Sequence, residues 1–356
     1  MNQGLIERLL SILKIKSFTY QERNLSDFIK KEFSNINNFI CYRIGNCLIF
    51  EEKFPKNAKK ISLYGHLDTV LNQQDLDPYA TEEKIFGCGA SDMKAGVAVM
   101  MELLKIADGK DRNINLQFVF YDGEEGDYHK SGLVQAFQQH LSLEKYKPDF
   151  ALVLEPTLNK IQTGCLGTMH CELTVRGKSG HSARPWQADN PILKLGKILD
   201  KLTKHQPKEV LVQGLPFVES MSITTIEGGS VRNVIPEEVK MNVNYRFSPL
   251  QNEKQAEEFL QSFFSFDEIS THLALVDSAP SCKVILENTL LQDFVQKFQL
   301  PIMPKQAWTD IARLSLHGID AVNFGPGDPA QAHQKNEFVL VEDLLKNYQI
   351  LSQFLL

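Results

Sequence analysis

Three predicted strands of this chain each end close to a histidine or a glutamate. The strands are short apolar runs of the kind that form a buried sheet. They are residues 61–64, followed by His66; residues 115–121, followed by Glu124 and Glu125; and residues 150–154, followed by Glu155. The carboxyl ends of parallel strands lie along one edge of a sheet, where open α/β folds bind ligands. The sequence therefore predicts that these polar residues, distant along the chain, converge on one cleft.

The order of the predicted elements indicates two domains. Helical periodicity between the strands, as in residues 93–107, gives the alternation of an α/β domain with a mainly parallel sheet. From Gly167 the pattern becomes β-α-β-β-α-β, which is the order of a small ferredoxin-like sandwich. We expect this second domain to be inserted into the first. The expected division is residues 1–166 and 283–356 for the α/β domain and residues 167–282 for the inserted domain.

Composition argues against several classes of protein. The 356 residues carry a formal net charge of −6, so no basic excess indicates a nucleic acid or an anionic membrane as partner. No apolar run reaches the roughly 18 residues needed to span a bilayer. Glu7 and Arg8 interrupt the apolar positions at the N-terminus, unlike a secretory signal. The six cysteines contain no Cys-x-x-Cys pair, which argues against a zinc knuckle or a disulfide framework. We expect a cytoplasmic protein with reduced thiols.

His66 and Asp68 are the first candidate pair for chemistry. If the extended backbone persists beyond Gly65, both side chains leave the same face of the strand. A metal-binding imidazole usually donates its other ring N–H to a carboxylate, which Asp68 would supply. The alternative is a structural histidine near a strand end and an aspartate that caps a turn.

The chain offers five candidate ligands for metal ions, and they are of two kinds. They are the imidazoles of His66 and His333 and the carboxylates of Asp92, Glu125 and Glu155. Such a set suits zinc, or cobalt or manganese in its place. Five protein ligands exceed a tetrahedral site, but they fit two ions that share one carboxylate. Glu124, beside a candidate ligand, could then act as general base on the attacking water.

Each carboxylate also has a structural alternative. Asp92 precedes a predicted helix and could be its N-cap. Glu124 and Glu125 could form a solvated acidic loop, and Glu155 could simply end a strand. A metal-free binding or regulatory protein is a further alternative.

Five segments in order resemble the dinuclear-zinc family of aminoacylases, acetylornithine deacetylases and succinyl-diaminopimelate desuccinylases. The segments are residues 64–69 (Tyr-Gly-His-Leu-Asp-Thr), 90–96 (Ala-Ser-Asp-Met-Lys-Ala-Gly), 123–126 (Gly-Glu-Glu-Gly), 154–156 (Leu-Glu-Pro) and 332–337 (Ala-His-Gln-Lys-Asn-Glu). The resemblance covers nearly the whole chain. It implies a zinc-exopeptidase-like catalytic domain, an inserted lid and dimerisation domain, two Zn²⁺ ions and a homodimer.

The resemblance also implies roles for individual residues. Asp92 would bridge the two ions and Glu124 would be the general base, while Asp68 would orient a ligand histidine. The ligands of the first ion would be His66 and Glu155, and those of the second would be Glu125 and His333. His181 would reach the active site of the other subunit and donate to the developing oxyanion. The alternative for His181 is a hydrogen bond to the backbone of its own domain.

Within the family, three segments are most similar to the desuccinylase branch. They are residues 180–186, 308–313 and 323–333. This similarity implies hydrolysis of N-succinyl-LL-2,6-diaminopimelate to succinate and LL-diaminopimelate, in the synthesis of lysine and cell-wall precursors. The chain departs from that branch at residues 163–165 (Thr-Gly-Cys for Arg-Arg-Gly) and at residues 305–310 (Lys-Gln-Ala-Trp-Thr-Asp for Ser-Gly-Gly-Thr-Ser-Asp). Alternatives within the family are another N-acyl-amino-acid deacylase, such as acetylornithine deacetylase, or a metallo-dipeptidase or carboxypeptidase.

A substrate with carboxylates at both ends needs cationic or N–H groups on both sides of the metal ions. The candidates are Arg246 and Asn233 from the inserted domain, and Thr309 and Gly325 from the catalytic domain. An Arg guanidinium matches a carboxylate in two-point contact, and backbone N–H groups of glycine-rich turns can bind anions. The alternative for Arg246 is a surface salt bridge.

Overall fold

The computed structural model describes residues 2–70 and 77–356. Its helices are α1 (Asn2–Leu13), α2 (Arg23–Glu32), α3 (Lys94–Ala107), α4 (Gly132–Ala136), α5 (Pro191–Lys204), α6 (Glu253–Phe263), α7 (Thr289–Phe298), α8 (Ile311–Leu316) and α9 (Val341–Leu355). Its strands are β1 (Phe39–Ile44), β2 (Cys47–Glu52), β3 (Lys60–His66), β4 (Tyr79–Ala80), β5 (Lys84–Phe86), β6 (Asn115–Tyr121), β7 (Phe150–Pro156), β8 (Ile161–Cys165), β9 (Gly167–Arg176), β10 (Gly180–His181), β11 (Lys208–Val212), β12 (Leu215–Glu227), β13 (Val234–Ile235), β14 (Glu238–Phe247), β15 (Thr271–Ala279), β16 (Ile302–Lys305), β17 (Ala321–Gly325) and β18 (Phe338–Leu340).

The chain divides into two compact units. The first unit consists of residues 1–163, 285–303 and 313–356, and the second of residues 164–284 and 304–312. The second unit includes residues 304–312 because this segment is tied to β12. Gln306 accepts a hydrogen bond from Val218 N (3.0 Å) and donates to Pro216 O (2.7 Å). The sequence pattern did not indicate that residues 304–312 return to the second unit. The functional roles of the two domains remain predictions.

The main sheet belongs largely to the first unit and has a parallel centre with antiparallel edges. Its order is β1-β2-β6-β3-β7-β17-β8-β16. The four central strands β6, β3, β7 and β17 are parallel, and the flanking pairs β1–β2, β2–β6 and β17–β8 are antiparallel. All residues of β6 and β7 are buried, as expected for parallel strands covered on both faces. The predicted α/β fold with a mainly parallel sheet is confirmed.

Helix α3 packs closely on this sheet and needs a glycine to do so. A Cβ atom added to Gly96 would lie 2.3 Å from the carbonyl oxygen of Leu154 in β7. The helix buries nearly its whole length, which brings the turn in front of it close to the carboxyl ends of the central strands. None of the helices that the structure describes is long and apolar enough to cross a membrane.

The second unit has the predicted ferredoxin-like topology. Its sheet order is β11-β12-β14-β9-β15, with antiparallel pairing throughout. Without the extra edge strand β11, the β-α-β-β-α-β core runs β9, α5, β12, β14, α6 and β15. Alternate residues of β14 are buried and pack with α5 and α6. The other face of the sheet is polar and carries Asn242, Asn244 and Arg246 among other residues.

Candidate metal centre

One group of candidate ligands lies at the carboxyl ends of β3 and β7. His66, Asp92 and Glu155 each offer a ligand atom, and these atoms all lie within 4.8 Å of one another. His66 Nε2 is 3.2 Å from Asp92 Oδ1 and 3.7 Å from Glu155 Oε1. His66 and Glu155 are buried, with 1% and 5% of their surface exposed. We call these residues the inner triad.

The second group shares Asp92 with the first. Asp92, Glu125 and His333 also place their ligand atoms within 4.8 Å of one another. His333 Nε2 is 2.8 Å from Glu125 Oε1 and 3.9 Å from Asp92 Oδ2. Half of the His333 side chain is exposed, and its backbone lies in the left-handed region, with φ 61°. We call these residues the outer triad.

Asp92 therefore presents one carboxylate oxygen to each triad. Oδ1 faces His66 and Oδ2 faces His333. The side chain does not cap the following helix, because α3 begins at Lys94 and its N-cap is Met93, which makes no side-chain capping bond. The alternative that Asp92 is the N-cap of this helix is therefore wrong. The arrangement suits a carboxylate that bridges two ions.

Asp68 holds two parts of the site together. Nδ1 of His66 donates to the carbonyl oxygen of Asp68 (3.0 Å) and lies 3.5 Å from its carboxylate. The same carboxylate accepts the backbone N–H groups of Glu124 (3.1 Å) and Glu125 (2.9 Å). Asp68 thus fixes both the tautomer of His66, a candidate ligand of the inner triad, and the loop that carries Glu125, a candidate ligand of the outer triad.

The electrostatics at His66 and Asp68 reflect this contact. Burial lowers the pKa of His66, but hydrogen bonds to Asp68 and Asp92 outweigh it and leave the pKa well above its ordinary value. Burial raises the pKa of Asp68, but the hydrogen bond with His66 prevails and the pKa lies below its usual range. The acidic groups around His66 therefore stabilise a positive charge at this position.

Glu124 lies beside both triads. One of its carboxylate oxygens lies within 4.8 Å of a ring nitrogen of His66 and of a carboxylate oxygen of Glu125. Its backbone is fixed by Asp68, so the side chain is set on an anchored loop. The position suits a group that exchanges a proton with water held between the triads.

Two N-terminal residues that sequence reasoning missed also hold this loop. Glu22 is fully buried, and its Oε1 accepts the backbone N–H groups of Tyr20 (2.7 Å) and Gly123 (3.1 Å). The hydroxyl of Tyr20 accepts the N–H of Asp127 (2.7 Å). Burial raises the pKa of Glu22 to about 7. No local pattern could have shown these contacts, since the partners are about 100 residues apart in the sequence.

Glu337 is a third residue that was missed, although it lies four positions after His333. Its carboxylate accepts backbone N–H groups from the turn before α3, which carries Asp92. Burial raises its pKa to about 7. In the sequence, Glu337 stands out only as the last residue of the family-like segment 332–337. That position does not show that Glu337 binds the turn before α3.

The donor set fits a pair of divalent cations. It combines two imidazoles with three carboxylates, and a single carboxylate links the two halves. The hydrogen bond that His333 Nε2 donates to the carboxylate of Glu125 raises the pKa of His333 to about 9, so this histidine attracts a proton when no cation neutralises the carboxylates. A divalent ion would displace that proton and bind the neutral ring.

In the second unit, two predicted residues lie side by side. His181 in β10 pairs with Val234 in β13, and Ser182 N donates to the carbonyl oxygen of Asn233 (3.0 Å). Nδ1 of His181 accepts the N–H of Ala183 (3.0 Å), which fixes the ring and directs its other nitrogen away from this contact. The backbone hydrogen bond proposed as the alternative for His181 is thus present, and it leaves one ring nitrogen for another role.

The other predicted substrate residues have distinct surroundings. Arg246 is partly buried on the polar face of the sheet, and its Nε donates to Asn244 Oδ1 (3.2 Å). The alternative predicted for Arg246 was a surface salt bridge, and its observed partner is instead the neutral side chain of Asn244. Thr309 is buried within the second unit, where its carbonyl oxygen accepts the thiol of Cys165 (3.9 Å). The sequence pattern assigns Thr309 to the catalytic domain, whereas in the structure residues 304–312 belong to the second unit, where Gln306 binds β12.

Gly325 ends β17 beside the inner triad. A Cβ atom there would lie 2.3 Å from Leu154 O and 2.4 Å from Glu155 O. Only glycine therefore permits this approach of two strands. Its N–H donates to Thr157 Oγ1 (3.1 Å), so it is not the anion-binding donor that the glycine-rich turn predicted. Gly325 shapes the position of Glu155 instead.

Comparison with known proteins identifies the class. The family described as peptidase family M20/M25/M40 matches residues 62–356, and the chain belongs to this family. A succinyl-diaminopimelate desuccinylase from Corynebacterium glutamicum is 32% identical over 349 residues, covering 97% of this chain and 94% of that protein.

Solved structures share the fold. A tripeptidase from Staphylococcus aureus has a TM-score of 0.82 at 20% identity and covers 99% of this chain and 97% of its own. The YxeP protein of Bacillus subtilis, described as a dinuclear metal-binding peptidase of the M20 family, has a TM-score of 0.71 at 15% identity, with 99% and 97% covered. The family and fold expected from the sequence are confirmed.

Proposed function

We propose that the protein is a two-metal amidohydrolase that cleaves N-succinyl-LL-2,6-diaminopimelate into succinate and LL-diaminopimelate. The main observation in support of metal-dependent hydrolysis is the position of Asp92. Each of its two carboxylate oxygens faces one histidine, His66 or His333. The similarity to succinyl-diaminopimelate desuccinylases over nearly the full length supports the substrate. The product amine would feed the synthesis of lysine and cell-wall precursors, and the cytoplasm is the proposed location.

The inner and outer triads are the proposed ligand sets. His66 and Glu155 would bind one ion, Glu125 and His333 the other, and Asp92 both. Zinc is the proposed metal, because imidazole and carboxylate donors suit it, and cobalt or manganese could substitute. When bound, the two ions polarise the amide carbonyl and lower the pKa of the attacking water.

The side chains of the protein then perform the proton transfers. Glu124 accepts a proton from the water as the water oxygen bonds to the amide carbon. The carbon–nitrogen bond breaks as Glu124 returns the proton to the departing amine. Asp68 keeps His66 in one tautomer throughout and holds the backbone of Glu124 in place. The second proton of the water, carried by the new carboxyl group, also passes to the amine, so the amide and one water become a carboxylate and an ammonium group.

The second unit is proposed as a lid and dimerisation domain. His181 would donate to the developing oxyanion in the other subunit of a homodimer, a type of contact that typically contributes about 2.7–4 kcal/mol. Asn233, Arg246 and Thr309 would bind carboxylates of the substrate. The partly buried guanidinium of Arg246 supports this role, since a desolvated fork binds a carboxylate more strongly than an exposed one.

A substrate panel at fixed zinc concentration tests the proposal. N-succinyl-LL-diaminopimelate should be hydrolysed with kcat/KM at least ~100-fold above N-acetylornithine or an unmodified dipeptide, because a neutral end leaves buried polar groups unpaired. Arg246→Lys should reduce this margin, while Lys240→Arg, on the same strand, should not. Faster hydrolysis of acetylornithine or a dipeptide would contradict the substrate and leave the two-metal hydrolase in place.

Mixing two inactive variants tests the role of His181. His181→Ala and Glu124→Gln are defects in different chains of one site if His181 acts across a dimer. Heterodimers would then contain one site with both defects and one with neither, so mixing under exchange conditions should restore activity. Absence of recovery, with exchange confirmed, would place His181 outside this role.

A further inference from the structure

Glu337 makes three hydrogen bonds to one turn. Its side chain is buried, with 5% exposed. Oε2 accepts the N–H of Gly89 (2.8 Å), and Oε1 accepts those of Ser91 (2.8 Å) and Asp92 (2.9 Å). The last of these is the backbone of the residue shared by the two triads. Both carboxylate oxygens are thus used to fix the turn that carries Asp92.

The backbone of Glu337 is anchored to the same region. Gly87 N donates to the carbonyl oxygen of Glu337 (3.1 Å), and the next residue, Phe338, pairs with Phe86 between β18 and β5. The segment that supplies His333 is therefore joined to the segment that supplies Asp92 through residue 337. A change in this contact would alter the position of an outer ligand and of the shared ligand together.

The direction of the Asp92 side chain depends on this turn. Because Asp92 does not cap α3, helix formation alone does not fix its carboxylate. Its two oxygens face His66 and His333 only if the backbone of residues 89–92 keeps its present conformation. Residues behind metal ligands that hold such geometry typically contribute 10–100-fold to metal affinity or activity.

We propose that Glu337 is a positioning residue that sets the affinity of both metal ions through Asp92 while binding neither. The inference rests on the proposed two-metal centre and is independent of the substrate. It predicts that one substitution outside both triads weakens both ions together. Loss of an unshared ligand would instead weaken mainly one ion.

Metal titration of the full chain, stripped of metal by a chelator, tests this inference. In Glu337→Ala both Zn²⁺ affinities should fall at least ~10-fold. The absorption bands of the cobalt-loaded protein should shift, because they report ligand geometry. In Glu337→Gln the fall should be smaller, since the amide keeps one acceptor oxygen but turns an N–H donor toward the turn. If Glu337→Ala does not fold, Glu337→Gln decides the result.

Two control variants separate positioning from general stability. Glu51 is equally buried in the same unit, where it accepts a hydrogen bond from Gln117, near the opposite end of β6 from Glu124. Glu51→Gln should lower the free energy of unfolding without changing metal affinity. Glu342 is exposed in the first turn of α9, and Glu342→Gln should change neither quantity.

The outcomes distinguish the two proposals. Wild-type protein that binds no metal would overturn the metal centre itself. Wild-type protein that binds two ions, together with folded Glu337 variants of unchanged affinity, would overturn only the role of Glu337. The same would follow if Glu51→Gln lost metal affinity as strongly as the Glu337 variants at equal loss of stability.

Discussion

His66 and His333 face different carboxylate oxygens of the same aspartate, Asp92, yet the surroundings of the two histidines differ. His66 ends the central strand β3, is buried, and has its second ring nitrogen fixed by Asp68. His333 follows β17 in a loop, is half exposed, and has a left-handed backbone. A rigid, buried ligand set loses little entropy on binding an ion, whereas an exposed loop ligand must be ordered. The inner triad should therefore hold its ion more tightly than the outer triad.

Glu124→Gln should have the largest effect on activity and should leave both triads occupied. The amide keeps the size of the side chain but cannot accept a proton, so kcat should fall at least ~100-fold. Metal analysis should still find about two ions, because Glu124 is proposed to be a base and not a ligand. Glu144→Gln, at an exposed position, is the control. Lower metal content in Glu124→Gln would assign this residue to a triad.

Removing one histidine from each triad tests the comparison directly. His66→Ala should leave less bound metal than His333→Ala. It removes a buried candidate ligand and leaves the carboxylates of Asp92 and Glu155 next to each other, where their negative charges repel. We expect His333→Ala to retain about one ion, in the inner triad. Metal analysis after dialysis measures both, with exposed His129→Ala as control. Equal loss in the two variants would show that the triads do not differ in affinity.

The sequence indicated which candidate ligands come together, but it did not indicate which side chains support them. His66, the glutamate pair and Glu155 follow strong strand signals, and the parallel sheet brings such ends together. Glu22 and Glu337 act on backbone N–H groups of distant segments, and such contacts have no local period or spacing. The glycine-rich turn predicts that the N–H of Gly325 binds the substrate, but in the structure this N–H donates to Thr157 Oγ1. Side-chain partners of this kind become visible only when the fold brings the segments together.

Asp68→Asn should have an intermediate effect and should affect both triads. Asn keeps one acceptor oxygen but loses the charge that fixes His66 and holds the N–H groups of Glu124 and Glu125. Metal affinity or kcat should fall about 10–100-fold. Parallel measurement of both affinities shows which triad depends more on Asp68. A change in kcat alone, with both affinities intact, would limit Asp68 to orienting the loop of Glu124.

Glu22→Gln should have the smallest effect, and it should appear in the pH dependence of stability. The pKa of Glu22 is about 7 in the folded chain, above its ordinary value of 4.5. Between these values the folded chain retains a proton that the unfolded chain has lost. The contribution of Glu22 to the free energy of unfolding therefore falls as pH rises from about 4.5 to about 7.

Gln keeps the acceptor oxygen for Tyr20 and Gly123 and cannot ionise, so this fall should disappear in the variant. Urea unfolding of the metal-free chain at pH 5 and pH 8 measures it, because bound cations would add their own field. The exposed Glu7→Gln variant controls for the lost charge. Wild type should lose stability relative to Glu22→Gln between the two pH values. If the two proteins keep a constant difference, Glu22 does not titrate in this range, and the loop of Glu124 and Glu125 is held by a permanently charged carboxylate, as the inner triad is held by Asp68.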